Sequence, residues 1–441
     1  MNRPANAMKT VIMAGGRGSR IQQMFPDIPK PLIKISDLTG IEYEILTLKN
    51  QGLSEFIVTV SHLAEKIIDS LGDGKRLGVS IEYYIENEPL GNAGALFEIK
   101  DRLTEDFFLI NADSVFNIDI NRVIEFHNDR KGVATIVTHP NNHPYDSGLI
   151  EAEKDGKVIK WLTKEDIRPQ WYKNRVNAGI HILNKSIFHH AGITAKANGG
   201  NEKVDLDRNI LRPLVPWGEL YCYDCTEYIK DMGTPERYEE VRRDLYDGII
   251  EKKCLKNRQR AVFLDRDGTI NKHIGFLKDI DQFELIEGVP EAIKVFNDLG
   301  FLVIVVTNQP VIARGEVSES ELDEIHNKME TLLGNKGAFV DAIYYCPHHP
   351  DKGYKGEKRE FKIQCNCRKP KPGMLYEAAN RYNIDLGKSW MVGDSESDVY
   401  AGNAAGCKTV LLNNINCGQN LNMDSLIDFA MYLKKDMQHW M

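Results

Sequence analysis

The stretch Ala261-Val-Phe-Leu-Asp-Arg-Asp-Gly-Thr269 decides the fold of the second half of this chain. Its first four residues, Ala261–Leu264, form a continuous apolar run of the kind found in buried parallel strands. Asp265 and Asp267 follow, and Gly268-Thr269 is a turn signal. The pattern predicts a buried strand that ends at a pair of carboxylates.

Two later runs repeat this arrangement. Phe301–Val306 is apolar and leads into Thr307-Asn308-Gln309, and Ser389–Val392 leads into Gly393-Asp394. In doubly wound sheets, sites form beyond the carboxyl ends of the strands. We therefore expect the three polar clusters to meet at one edge of a parallel sheet.

Together these residue types suit phosphoryl transfer. Asp265 can attack phosphorus as a nucleophile, and Asp267 can protonate the leaving oxygen and then deprotonate water. Asp265 and Asp394, with the backbone carbonyl of Asp267, offer hard oxygen ligands for Mg²⁺. Thr307 and Lys369 would hold the phosphoryl oxygens. Any one of these acids alone is more often an ordinary loop residue, and only their order and combination favour a phosphatase.

Residues 260–430 resemble the haloacid dehalogenase superfamily, and more narrowly its D-glycero-D-manno-heptose 1,7-bisphosphate phosphatases. The narrower resemblance rests on Tyr344–Pro350, Cys365–Gly373 and Thr307–Gly315. It implies a parallel sheet and substrate contacts for a set of polar and basic residues. These are Asn308, Gln309, Arg314 and Arg368. Pro310-Val311 departs from the family, which usually has Ser-Gly there, and histidinol-phosphate phosphatases share a similar core.

A second metal site is indicated by cysteine spacing alone. Cys346-x-His348 and Cys365-x-Cys367 supply three thiolates and one imidazole, a closed set suited to structural Zn²⁺. The alternative is that these are unpaired loop cysteines. The second pair directly precedes Arg368-Lys369, so zinc would brace the loop that carries the phosphate contacts.

Length and composition indicate a two-domain, water-soluble protein. The chain has 441 residues and a formal net charge of −8, which argues against a general nucleic-acid partner. It has no apolar run of membrane-spanning length and no signal peptide, so we expect a cytoplasmic location. In that compartment the cysteines should be reduced or metal-bound. We expect small-molecule substrates, and a homo-oligomer is an open alternative. Basic residues around 251–260 indicate a linker, and we place domains at 1–248 and 260–441 with a linker at 249–259.

The first half alternates short apolar runs with helical patterns, which predicts an α/β fold. Thr10–Met13 runs into Ala14-Gly15-Gly16-Arg17-Gly18-Ser19-Arg20, where glycine N–H groups and arginines can surround phosphates. The loop is not a Walker A motif, because no Gly-Lys-Ser/Thr follows, and it is a poor dinucleotide motif. A plain tight turn remains the alternative.

Other features strengthen a nucleotide site. Lys30 lies between two prolines that stiffen its loop. Gly91, Asn92 and Gly94 belong to a loop of small residues that a flat base could approach. Asp113 follows the apolar run Phe107–Ile110, and Asp231 precedes a charged helical stretch from Pro235 to Asp247.

In this order, the features resemble the sugar-1-phosphate nucleotidylyltransferases over about residues 9–245. Within that family the chain looks most similar to the guanylyltransferases of mannose and heptose phosphates. The resemblance implies a Rossmann-like mixed sheet, with Arg20 and Lys30 offsetting phosphate charge and Asp113 and Asp231 holding Mg²⁺. It also implies sugar contacts from Gly148, Asn177 and Gly179. The chain departs from the family at two positions. Thr163 lies where the family often has the glutamate of a Glu-Lys pair, so the usual acceptor for a sugar hydroxyl is missing or is supplied by Glu165. Asn92 lies where threonine is frequent.

The two resemblances together imply a bifunctional enzyme. Its phosphatase would remove the C7 phosphate of a heptose 1,7-bisphosphate, and its transferase would join GMP from GTP to the resulting heptose 1-phosphate. The guanylylated branch implies the α anomer. One alternative is the same pair of activities on another sugar, with GDP-mannose-like or dTDP-sugar chemistry. The other is a histidinol-phosphate-type phosphatase fused to a non-catalytic domain that senses nucleotide sugars.

Overall fold

The computed structural model describes residues 8–16, 20–88, 90–190, 203–353 and 355–438. By contacts, the chain forms two compact units. The first comprises residues up to 139, 150–161 and 177–254, and the second comprises 140–149, 162–176 and the chain from 255 onward. The division at 254/255 falls inside the predicted linker, and the domain limits stated above remain a prediction.

The first unit is built on a mixed sheet. Its strands are β1 (Lys9–Met13), β2 (Glu55–Val60), β3 (Ser80–Ile85), β4 (Asp106–Asn111), β5 (Ser114–Asn117), β6 (Ala134–His139), β7 (Leu149–Ala152), β8 (Val158–Leu162), β9 (Val176–Asn184), β10 (Leu220–Asp224) and β11 (Tyr228–Asp231). The main order is β10-β6-β9-β4-β1-β2-β3. Strands β1 to β4 of this path run parallel, whereas β9 is antiparallel to β4.

Helices connect these strands. They are α1 (Gly40–Lys49), α2 (Ala64–Leu71), α3 (Gly94–Ile99), α4 (Ile120–Arg130), α5 (Pro235–Tyr246) and α6 (Ile249–Lys252). Helix α1 begins with a capping box, in which Thr39 and Glu42 satisfy each other's backbone N–H groups. A separate two-stranded ladder, β5 with β11, pairs Ser114 with Asp231. This ladder brings the ends of two distant segments together.

The second unit contains an all-parallel sheet. Its strands are β12 (Ala261–Leu264), β13 (Leu302–Asn308), β14 (Ala342–Cys346), β15 (Trp390–Gly393), β16 (Lys408–Leu411) and β17 (Leu421–Asn422). Its helices are α7 (Val289–Asp298), α8 (Pro310–Ala313), α9 (Glu319–Gly334), α10 (Gly373–Tyr382), α11 (Glu396–Ala405) and α12 (Leu426–Gln438). The strand order is β14-β13-β12-β15-β16-β17, and the pairings are parallel.

Both faces of this second sheet are covered. Val262 and Leu264 of β12 belong to one buried apolar cluster, whereas Ala261 and Phe263 belong to another. Successive side chains of a strand point to opposite faces, so helices bury the sheet from both sides. This explains why the strand reads as a continuous apolar run, and it places β13, β12 and β15 side by side with their carboxyl ends at one edge.

Two observations differ from a simple two-domain interpretation of the sequence. The stretch predicted as a linker contains the helix α6, and Ile250, Cys254 and Leu255 are buried. In addition, residues 140–149 and 162–176 cluster with the second unit. There the backbone N–H of Asn174 donates to Glu330 (2.6 Å) and the guanidinium of Arg175 donates to the Asp341 carbonyl (2.8 Å). The position of these two segments in the first half of the sequence does not predict that they belong to the second unit.

The predicted fold class is confirmed: two α/β units, the first with a mixed sheet and the second with a parallel one. Within the described residues, no helix has both the length and the apolar character needed to cross a membrane.

Candidate active sites

A cavity of about 230 Å³ lies at the carboxyl edge of the parallel sheet. Its wall contains Asp265 and Asp267 after β12, Thr307 at the end of β13 and Asp394 after β15, together with Lys369. The three polar clusters expected to meet therefore do meet. The reason is topological, because three adjacent parallel strands end at the same edge.

Lys369 lies at the centre of the acidic residues. Its Nζ is 2.8 Å from Asp265 Oδ1 and 2.6 Å from Asp398 Oδ1, and it donates to the carbonyl of Val306 at 2.7 Å. Burial raises the pKa of Asp265 to about 7, the Lys369 charge opposes that rise, and Asp398 adds to it. A single buried ammonium thus faces two carboxylates, so the cluster keeps a net negative charge that a bound cation would offset.

Asp267 is held by donors from three sides. Arg266 reaches both carboxylate oxygens (2.9 and 2.8 Å), Asn271 Nδ2 lies at 3.0 Å and Gln309 Nε2 at 2.9 Å. Burial alone would raise the pKa of Asp267, but Arg266 and these hydrogen bonds outweigh it and place the pKa below its usual value. The buried guanidinium also contacts Nε2 of His326 at 3.3 Å.

The predicted phosphate and substrate residues are distributed around this cavity. Thr307 accepts a hydrogen bond from Gln309 (2.9 Å), and Asn308 bonds to the backbone of Lys369 through both ends of its amide (3.1 and 3.0 Å). Arg368 also lines the cavity. Arg314 lies beyond it, with its guanidinium 3.8 Å from the centroid of the Phe276 ring.

A group of three carboxylates at this edge has the geometry to hold a cation. Asp265, Asp394 and Asp398 each offer an oxygen, and these atoms all lie within 4.8 Å of one another. Gly268 is required beside them, because a Cβ there would lie 2.0 Å from Asp394. For the third ligand, the sequence analysis named the backbone carbonyl of Asp267 and not the carboxylate of Asp398. The carboxylate of Asp267 itself contacts Arg266.

The four zinc-type ligands also come together. Sγ of Cys346 lies 3.5 Å from Cys365 and 3.3 Å from Cys367, and those two lie 3.2 Å apart. Nδ1 of His348 is 3.7 and 3.4 Å from Cys346 and Cys367. All four ligand atoms lie within 4.8 Å of one another, which suits one tetrahedral ion. The adjacent His349, which the cysteine spacing did not include, is not in the group.

The first unit brings together a second set of predicted residues. Asp113 precedes β5 and Asp231 ends β11, and the ladder between these strands makes them neighbours: the Met232 N–H donates to the Asp113 carbonyl at 3.0 Å. Nζ of Lys30 lies 2.9 Å from Asp113, and its charge also acts on Asp231. A Cβ added at Gly233 would lie 3.7 Å from the guanidinium of Arg20. Two acids and two cations thus occupy one region.

Two residues of this region were missed by the sequence-based prediction. Arg237 contacts both carboxylate oxygens of Asp231 (3.1 and 2.9 Å). Burial raises the pKa of Asp231, but Arg237 and other donors bring it below its usual value. Glu44 is buried on α1, and burial together with the charge of Asp113 raises its pKa well above the ordinary range. The position of Arg237 in the first turn of the helix after Asp231 was a usable signal, whereas no motif marks Glu44.

The loops expected to bind the nucleotide are partly described. Gly15 and Gly16 follow β1, whereas Arg17 and Gly18 lie outside the described residues. Gly91 has φ +89°, and a Cβ there would lie 2.3 Å from the Val204 carbonyl oxygen, so glycine is required. A Cβ at Gly94 would clash with Leu90, at 2.5 Å. Asn92 accepts from the Leu206 N–H at 2.7 Å and donates to Asp205, so its amide fixes the loop.

The residues expected to contact the sugar separate into two places. Asn177 donates to Asp207 (3.3 Å) and accepts from the Gly179 N–H (3.2 Å) in the first unit. Gly148 lies in the 140–149 segment, and Thr163 and Glu165 lie in the 162–176 segment, both of which cluster with the second unit. Thr163 donates twice to Asp166, from its N–H (2.7 Å) and its hydroxyl (2.9 Å).

Comparison with known proteins finds relatives for both halves. The family model described as nucleotidyl transferase matches residues 9–248, and one described as HAD-hydrolase-like matches 366–420. The D-glycero-β-D-manno-heptose-1,7-bisphosphate 7-phosphatase of Yersinia pestis is 45% identical over 152 residues, 34% of this chain and 79% of that protein. The enzyme of the same name from Escherichia coli is 39% identical over 188 residues, 40% of this chain and 95% of that protein. The crystal structure of HddC from Yersinia pseudotuberculosis gives a TM-score of 0.45 with 26% identity, covering 54% of this chain and 99% of that one.

Proposed function

Because the chain belongs to the nucleotidyl transferase family through residues 9–248 and to the D-glycero-β-D-manno-heptose-1,7-bisphosphate 7-phosphatase family through its C-terminal half, we propose that its two activities act in sequence on one heptose. The C-terminal unit hydrolyses the C7 phosphate of a D-glycero-D-manno-heptose 1,7-bisphosphate. The N-terminal unit then transfers GMP from GTP to the heptose 1-phosphate and releases pyrophosphate. The product is GDP-heptose.

The observation that carries this proposal is the cavity at the edge of the parallel sheet. Asp265, Asp267, Thr307 and Lys369 line one cavity, and Lys369 lies 2.8 Å from Asp265. A carboxylate nucleophile, an acid–base carboxylate and a buried cation are the groups that two-step phosphate ester hydrolysis needs.

In the first step, an oxygen of Asp265 attacks the C7 phosphorus and the bond from phosphorus to the sugar oxygen breaks. Asp267 gives the leaving oxygen its proton, which requires the Arg266 contact to loosen first so that this carboxylate, whose pKa lies below its usual value in the present arrangement, can be protonated. In the second step, Asp267 takes a proton from water, whose oxygen attacks the phosphorus of the aspartyl phosphate, and inorganic phosphate leaves with Asp265 restored. Lys369 and Thr307 hold the phosphoryl oxygens in both steps.

The residues present fit the metals that both families imply. Asp265 and Asp394 converge with Asp398, and with the Asp267 backbone carbonyl they would hold Mg²⁺, which would offset the repulsion between anions. Cys346, His348, Cys365 and Cys367 would hold a structural Zn²⁺ and brace the loop that carries Arg368 and Lys369.

In the N-terminal unit, an oxygen of the sugar phosphate attacks the α-phosphorus of GTP directly, and pyrophosphate leaves. Arg20 and Lys30 would offset the charge that builds on the phosphates, and Asp113 and Asp231 would hold Mg²⁺. Asn177 and Gly179 would contact the sugar. The Lys30–Asp113 distance of 2.9 Å supports this assignment, since it puts a cation beside a candidate metal ligand.

The experiment supplies each anomer of heptose 1,7-bisphosphate with GTP, ATP, CTP or dTTP and follows inorganic phosphate and pyrophosphate separately. Both anomers are needed because the names of the relatives specify β, whereas the guanylylated route implies α. We expect phosphate from the bisphosphate alone and pyrophosphate only when GTP is added. Phosphate without pyrophosphate from any nucleotide would favour a non-catalytic, sensing N-terminal unit. Pyrophosphate with dTTP alone would favour dTDP-sugar chemistry.

A further inference from the structure

An exposed aromatic ring stands at the mouth of the phosphatase cavity. Phe276 lines the cavity with 45% of its surface exposed. The neighbouring Ile274 is equally exposed but does not line the cavity.

The contacts of the Phe276 ring indicate its role. The guanidinium carbon of Arg314 is 3.8 Å from the ring centroid, a close cation–π stack. A second contact joins the same two segments, because Lys278 forms an ion pair with Glu316 at 3.0 Å. The segment that carries Phe276 and the turn that carries Arg314 are therefore joined by two contacts, the stack and this ion pair.

The Arg314 turn is also fixed from the other direction. Gly315 has φ +70°, and a Cβ there would lie 2.0 Å from the Gly356 carbonyl oxygen, so the backbones are in close contact. The Lys358 N–H donates to the Ala313 carbonyl at 3.0 Å. The backbone of this turn is therefore fixed, and the Arg314 guanidinium lies over the Phe276 ring.

Positive charge collects at this side of the cavity. Arg368 lines the cavity itself. The charges of Arg368, Arg314 and Lys362 all act on the buried His349, and only one carboxylate, that of Asp351, is among the charges that act against them there. The mouth therefore favours a second anionic group on the substrate, in addition to the phosphoryl group that Lys369 faces.

We infer that Phe276 is a positioning residue, which holds the Arg314 guanidinium at the cavity mouth so that it binds the phosphate that is not hydrolysed. This inference rests on the proposed function, in that the substrate is taken to be a sugar bisphosphate. Phe276 itself needs no contact with the reacting atoms. Its role is to reduce the number of orientations that Arg314 samples before substrate binds.

The test compares Phe276→Leu, Phe276→Trp and the control Ile274→Ala in the full chain. The substrates are heptose 1,7-bisphosphate and heptose 7-phosphate, which lacks the second phosphate. We expect Phe276→Leu to raise KM for the bisphosphate about three- to tenfold with kcat unchanged, and to leave heptose 7-phosphate hydrolysis unchanged. Phe276→Trp keeps a ring face and should retain the wild-type KM. Ile274→Ala should change neither substrate.

A double-mutant cycle with Arg314→Met separates this role from packing. In the Arg314→Met background, Phe276→Leu should change KM for the bisphosphate less than about twofold, because the guanidinium is already gone. Equal losses on both substrates, or an undiminished effect in the Arg314→Met background, would show that Phe276 only shapes the cavity and would overturn the inference. If the wild-type enzyme used both substrates equally well, the proposed specificity for the bisphosphate would be wrong, and this inference, which depends on it, would be wrong as well.

Discussion

Nζ of Lys369 lies 2.8 Å from Oδ1 of Asp265, although one residue follows β12 and the other lies beyond β14, far along the chain. The same ammonium contacts Asp398 at 2.6 Å and is almost entirely buried. The candidate nucleophile, its cation and a second acid therefore form one electrostatic unit.

Replacing the nucleophile should separate the two activities. Asp265→Asn keeps the shape of the side chain but removes the attacking carboxylate, so phosphate release should fall by at least about 10³-fold. Pyrophosphate release from GTP and pre-made heptose 1-phosphate should stay within about twofold of wild type. Phosphate and pyrophosphate assays on the same preparation measure both. Normal phosphatase turnover in this variant would show that the nucleophile is another residue.

Removing the buried cation should be nearly as damaging. Lys369→Met leaves Asp265 and Asp398 without their shared counter-charge and removes a donor to the phosphoryl oxygens, so kcat for phosphate release should fall about 10²–10³-fold. The exposed Lys371 in the same loop supplies the control, and Lys371→Met should keep kcat. Equal behaviour of the two variants would mean that Lys369 has no special part in the reaction.

The converse separation should come from the first unit. Asp231→Ala removes one of the two carboxylates beside Lys30 and leaves Arg237 without its partner, so pyrophosphate release should fall about 10²-fold or more. Phosphate release from the bisphosphate should be unchanged. Glu239→Gln, on the exposed side of the following helix, controls for loss of an acid nearby. Retained pyrophosphate release in Asp231→Ala would remove Asp231 from the metal site.

Metal content can be tested without an activity assay. We expect about one zinc per chain in purified protein, bound by Cys346, His348, Cys365 and Cys367, because three thiolates and an imidazole form a closed tetrahedral set. The double change Cys365→Ser, Cys367→Ser should reduce zinc to background and lower the midpoint of thermal unfolding. Cys417→Ser is the control and should retain the metal. Full zinc in the double variant would place the ion elsewhere.

The first unit should lose stability in mild acid through His181. Burial lowers the pKa of His181 to about 3, against roughly 6.5 in an unfolded chain, so the unfolded state takes up the proton more readily. The contribution is complete above about pH 6.5 and is lost as the pH falls, by about 2 kcal/mol at pH 5.

Chemical denaturation at pH 7 and pH 5, followed through the transition that GTP shifts, measures this loss. In His181→Gln the difference between the two pH values should shrink by about 2 kcal/mol, whatever the absolute stability of the variant. The exposed His62 serves as the control, since His62→Gln should keep the wild-type difference. An unchanged difference in His181→Gln would assign the acid sensitivity to other groups.

Much of the fold was accessible from local pattern. Ala261–Leu264 forms a strand with the bounds that its apolar run predicted, and the run Phe107–Ile110 lies within β4, because buried parallel strands have no polar face to break the run. The linker limits remain a prediction, but this stretch is not simply exposed. Ile250 and Leu255 are buried in apolar clusters with residues that lie far away in the sequence.

The chemistry of the candidate sites was largely determined by the sequence, because residue type and spacing suffice to identify it. The Asp265–Thr269 motif predicts a candidate nucleophile, and the pairs Cys346/His348 and Cys365/Cys367 predict four candidate metal ligands. The partners of those groups were decided only by tertiary structure. Arg266 on Asp267 and Arg237 on Asp231 are ordinary charged residues in sequence, and only the folded structure places each against its partner. The motif at Asp265 thus defines the reaction, while the burial and charge around it, which depend on distant segments meeting, decide how that carboxylate is held.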